Sequence, residues 1–154
     1  TSAGNITDNG ALVVAGTTTL APGAANSITL DAANDFSTVA ITNGTNATLN
    51  DTGEIDLGAI SITGTLGVTA AGEITDSGTL VIGGAATLAA GAANDITLNS
   101  AANNFASIGI TNALNVILVD TNAIALKLWV CIRGISNGCD SCRGTHCMSI
   151  TTTQ

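Results

Sequence analysis

The chain has 154 residues, of which 45% are hydrophobic but only 2% aromatic and 9% charged, with eighteen glycines and one proline. This much aliphatic surface with so few charges argues against disorder, and no window reaches the roughly 18 consecutive apolar residues of a membrane helix. The net charge of −8 sits in residues 1–126, which hold ten acids and no Lys, Arg, His or Cys, so neither nucleic acid nor an anionic membrane surface fits as a partner.

Thr, Asn and Gly are weak helix formers and no long 3.6-residue period runs through them, so an all-β chain is expected. In chain order, short aliphatic-alternating runs fall at Leu12–Val14, Ile28–Leu30, Val39–Ile41, Ala47–Leu49, Ile55–Leu57 and Leu66–Val68. Each predicts a strand of three to five residues with alternate side chains turned inward. Gly, Asn and Asp fill the gaps, as tight turns require.

The same series then begins again. Residues 4–33 align with 72–101 at an offset of 68, with nineteen of thirty positions identical. After a one-residue insertion, 34–57 continue against 103–126 at an offset of 69, pairing Phe36 with Phe105 and Asp51-Thr52 with Asp120-Thr121. This defines one β segment, 1–126, made of unit 1–71 and an incomplete unit 72–126. Thr1 reads as a point inside a longer protein or as a processed end.

About nine short strands per unit divide into three coils of about 23 residues, the arithmetic of a parallel β-solenoid. A coil interior is narrow and suits Ala, Val, Ile and Leu, which accounts for the shortage of aromatics. The runs GNITDNGALVVAGTTTLA, GAANDITLNSAANNF and LVDTNAI resemble the strand repeats of filamentous-haemagglutinin-type bacterial exoproteins. The resemblance covers about residues 1–126 and concerns the repeat shaft, not the family's secretion domain. It implies a right-handed parallel β-helix, about three coils per 68-residue repeat. It also implies a secreted or surface-attached bacterial stalk of two-partner secretion or autotransporter type, extracellular, that meets surface glycans or proteins of a host or neighbouring cell. Open solenoid ends lead to the expectation of self-association.

From Lys127 the pattern stops, and 127–154 hold all four cysteines with the only Trp, Met and His. If the Cys, Asp and Ser codons there end in C, a shifted frame turns Asp140–Thr145 into Thr-Ala-Ala-Gly, the sequence of Thr69–Gly72. The tail is therefore expected to be frame-shifted repeat. The alternative is a metal site: Cys139 and Cys142 form a C-x-x-C near Cys131, Cys147 and His146, a soft ligand set for zinc. The spacing matches no common zinc signature, and incidental cysteines, or disulfides in a secreted chain, compete with it.

The body offers little catalytic chemistry. A Ser-His-Asp arrangement lacks its imidazole and a lyase lacks its base. A glycan hydrolase needs two carboxylates about 5–9.5 Å apart, and the densest acidic group is Asp51, Glu54 and Asp56. Glu54 and Asp56 become Ala123 and Ala125 in the second unit, which favours solvated turn acids. Calcium at turn acids would need carboxylate and carbonyl oxygens, but the G-G-x-G-x-D nonapeptide is absent. Asp8/Asp76, Asn34/Asn103 and Asp51/Asp120 match between units, which points to hydrogen-bonded turns. The expected function is a non-enzymatic structural or adhesive stalk segment. A carbohydrate-active enzyme on the same scaffold, or a shifted-frame product without selected function, is the alternative.

Overall fold

The structure, a computed structural model, describes residues 1–122, 124–128 and 148–150. No helix occurs among them. The strands in chain order are β1 (Ile6–Thr7), β2 (Val13–Leu20), β3 (Ile28–Ile41), β4 (Ala47–Asp51), β5 (Ile55–Ile62), β6 (Leu66–Ala70), β7 (Ile74–Asp76), β8 (Leu80–Ala89), β9 (Ile96–Leu98), β10 (Asn104–Asn112), β11 (Val116–Leu118), β12 (Ala125–Leu128) and β13 (Met148–Ile150). Each expected aliphatic run lies in a strand, except that Leu12 stands just before β2.

Every pairing is parallel and joins one turn of the chain to the next, giving a β-solenoid of about six turns at a spacing of about 20 residues. Three faces can be followed through the stack. On the first, Ile6, Ile28, Ala47, Leu66, Ala86 and Ile108 succeed one another. On the second, Ile55, Ile74, Ile96 and Val116 do so. On the third, Ile41, Ile60 and Leu80 do so, with Ile62, Ile82 and Phe105 beside them. β3, β5 and β8 bend round corners between faces, which is why the ladders connect into a single sheet.

A coil is thus nearer 20 residues than 23, and a 68-residue unit is three coils and about a third of another. The remainder has a visible effect. Ile6, Ile28 and Ala47 stack on the first face, whereas their equivalents Ile74, Ile96 and Val116 stack on the second. Each repeat therefore starts one face further round.

The inserted residue also leaves a mark. In the first unit β3 runs unbroken through Asp31–Asn34, but in the second Ser100 and Ala101 sit in a turn closed by Asn103 N–H donating to Ser100 O at 3.1 Å. The strand is split into β9 and β10 as a result. Gly23 and its equivalent Gly91 take φ of 92° and 86°. Only glycine adopts such angles without strain. The turn that follows is held by Asn26 Nδ2 to Pro22 O (2.8 Å) and by Asn94 Nδ2 to Ala90 O (2.7 Å).

The core is a column of buried Ile, Leu, Val and Ala from all three faces. Phe36 and Phe105 are buried within it as well, at equivalent positions in the two units. Both lie at corners where the pairing register slips, between Val14 and Thr17 opposite Phe36 and between Phe105 and Ser107. A bulge of this kind bends the strand locally, and the bend opens room for a ring that flat faces lack.

Candidate functional site

The repeat-matched polar residues are drawn together into one buried arrangement that occurs twice. Asn34 is fully buried; its Nδ2 donates to Asp8 Oδ2 at 2.8 Å and its Oδ1 accepts from Leu12 N–H at 2.9 Å. Asn103 is buried in the same way, with Nδ2 donating to Asp76 Oδ2 at 2.6 Å and Oδ1 accepting from Leu80 N–H at 2.9 Å. The Asn34 carbonyl then accepts from Thr52 N–H (2.7 Å) and Thr52 Oγ1 (2.9 Å) on the following coil. One asparagine thereby ties three successive coils.

Asp51 continues the chain of contacts. It is buried, its Oδ2 accepts from Phe36 N–H at 2.7 Å and its Oδ1 from Gly53 N–H at 2.8 Å. Asp120 repeats both bonds with Phe105 N–H (2.8 Å) and Asn122 N–H (2.9 Å). At the bulged corner the ladder cannot satisfy these amides, and a buried amide without a partner costs about 1–3 kcal/mol. The carboxylates supply the missing acceptors. Asp8 differs in being only half-buried. The Asn34 side-chain hydrogen bond, with smaller help from backbone amides, holds its pKa below the ordinary 3.8 against a modest opposing effect of desolvation.

The three candidate acids therefore separate. Asp51 belongs to this polar spine, whereas Glu54 and Asp56 line a surface groove of about 450 Å³ with Asp35 and Glu73, Val13 and Val14 forming part of its rim. Asp56 Oδ2 accepts from Ser77 Oγ at 2.6 Å. The groove's acidity is local: Asp35, Glu54 and Asp56 correspond to Asn104, Ala123 and Ala125, and Glu73 to Asn5. Among the described residues, no group of three or more His, Cys, Asp or Glu is placed to hold a metal ion. Cys131, Cys139, Cys142, Cys147 and His146 lie outside the described residues.

Matching residues between units foretells that Asp8, Asn34 and Asp51 work in turns, but not that Asp8 reaches Asn34. The signal was available in their joint retention at separations of 26 and 27 residues. The insertion falls between Asp76 and Asn103, and the turn at Ser100 absorbs it without breaking the contact.

A family model described as repeats of unknown function (DUF5649) matches residues 1–43 and 44–112. The boundary between the two matches falls in the loop after β3, and the second match has the length of the internal period. No curated protein and no solved structure matches the chain.

Proposed function

Because the chain belongs to the family of repeats of unknown function DUF5649, whose unit here winds through parallel coils, we propose that it is a non-enzymatic spacer segment of a secreted or surface-exposed bacterial repeat protein. It holds a binding region at a distance and offers its own polar sides to glycans or proteins of a neighbouring or host surface. The observation that carries this reading is the use of the repeat-matched polar groups. Asn34, Asp51, Asn103 and Asp120 are buried and spent on joining one coil to the next. Residues repeated for cohesion suit a part whose task is length. The likeness to filamentous-haemagglutinin-type shafts supports the secreted, adhesive setting.

Tandem copies of residues 44–112 provide the test. With strands about 4.8 Å apart, each added unit lengthens the particle by about 16 Å at nearly constant cross-section. Small-angle scattering from arrays of increasing copy number measures this. A maximum dimension that stays level, or grows as a flexible chain would, refutes the spacer.

A second reading rests on the acidic groove, which brings Glu54 and Asp56 together with Asp35 and Glu73. On that reading the chain cleaves a glycan. Incubation with a glycan panel separates the two: retention without new reducing ends supports adhesion, whereas turnover abolished by Glu54→Gln supports hydrolysis.

A further inference from the structure

The two units supply a comparison within one molecule, because the same sequence pattern occurs once with a coil beneath it and once without. In the second unit, β5 lies beneath β7 and the start of β8. Ile55 pairs with Ile74, Leu57 with Asp76, and Ile60–Ile62 with Leu80–Ile82. Ile55 N–H donates to Glu73 O (2.9 Å), Ser77 N–H to Leu57 O (3.1 Å) and Ile60 N–H to Thr79 O (3.0 Å). In the first unit, β1 and β2 pair with β3 alone, on one side. The effect on the side chains is large: Leu80 is 0% exposed and Leu12 41%, Val81 is 41% exposed and Val13 77%.

The glycines record the same difference. A Cβ on Gly72 would lie 2.5 Å from Glu54 N, on Gly78 2.2 Å from Ala59 N, and on Gly84 2.7 Å from Gly64 C. These three must be glycine because the coil beneath comes closer than any Cβ allows. Their equivalents Gly4, Gly10 and Gly16 meet nothing within 4 Å. The bare edge therefore has the relief of a surface shaped to receive a coil, together with unmatched apolar side chains.

The repeat register identifies what fits there. The equivalent of Ile55–Ala59 is Ile124–Leu128, whose strand β12 pairs with β10 on one side. We propose that the edge formed by Asn5–Val14 receives Ile124–Leu128 of a second copy of this chain, so that copies stack head to tail with Ile124 over Ile6 and Leu126 over Asp8. The contact reproduces the internal one between β5 and β7, and it goes beyond the spacer reading, since a spacer need not associate.

Sedimentation velocity from micromolar to millimolar concentration tests this, with hydrogen exchange on the same samples. The expected result is a mass that rises with concentration, with exchange slowing at Ile6–Asp8 and Leu12–Val14 and unchanged at Leu80–Ile82. Gly10→Val has open space within one copy but strikes the partner's backbone in the stack, so it is expected to weaken association about tenfold or more. Val13→Lys, altering an exposed side chain, is expected to do the same. A monomer at every concentration overturns the proposal, as does an oligomer that both variants leave intact. Neither result would alter the length measured for covalent arrays.

Discussion

Asp76 and Asn103, 27 residues apart, meet at 2.6 Å across two coils, and Asp8 and Asn34 make the same contact at 2.8 Å. The asparagines pass the constraint onward by accepting from Leu80 and Leu12 N–H. The two sites differ in one respect: Leu80 is buried, whereas Leu12 is largely open to water.

That difference predicts unequal costs. Asn103→Ala leaves the Leu80 amide buried without an acceptor and is expected to lower unfolding stability by about 2–3 kcal/mol. For Asn34→Ala, water can reach the Leu12 amide, and about 1 kcal/mol is expected. Denaturant unfolding of the two variants beside the parent measures both. Equal losses would show that solvent does not substitute at the first site.

Acid should weaken the first of these contacts. Asp8 has its folded pKa lowered, chiefly by Asn34. Its stabilising contribution is therefore complete above the unfolded value of 3.8 and disappears as pH falls through the lower folded value. Thermal melts from pH 7 down to pH 2 should decline below about pH 4. In Asp8→Asn that decline should be shallower, because the group no longer titrates. Parallel curves for the two proteins would contradict the assignment.

The glycines give a sharper contrast. Gly78→Ala forces a Cβ to within 2.2 Å of the Ala59 backbone nitrogen, an atom that cannot move without displacing its coil. A loss of about 3 kcal/mol is expected, at the severe end for an added methyl. Gly10→Ala, its repeat partner, meets nothing within 4 Å and should stay within about 0.5 kcal/mol of the parent. Unfolding at dilute concentration reads the folding term alone.

Removing either ring from its corner should also be costly. Phe36 and Phe105 are each 1% exposed, and truncation to Ala is expected to cost about 3–5 kcal/mol. Leucine restores part of the packing and should recover roughly half of that. Unfolding midpoints of the alanine and leucine variants check the order.

The fold was legible in the sequence because its two signals are local and repeated. Alternating runs such as Ile28–Leu30 and Ala47–Leu49 specify strands, and the identity between 4–33 and 72–101 specifies stacking. Coil length was harder to read. The repeat period counts residues per unit, whereas the coil count depends on how tightly corners such as Asp51–Gly53 turn, and that is settled by backbone hydrogen bonds to Asp51. Aromatic burial escaped for a related reason: the register slip beside Phe36 is a property of paired strands, not of either alone. The acids divided along the same line. Asp51 and Glu54 are neighbours in sequence, yet one points into unmatched corner amides and the other into a groove, and only the neighbouring coils decide which.

The extra third of a coil in each repeat also sets how such an array would face its surroundings. A patch borne by one unit reappears on the adjacent side in the next and regains its first heading after about three units, roughly 50 Å along the axis. A tandem series would consequently carry its markings as a spiral stripe, like the thread of a screw, and an approaching surface from any direction would meet every third copy.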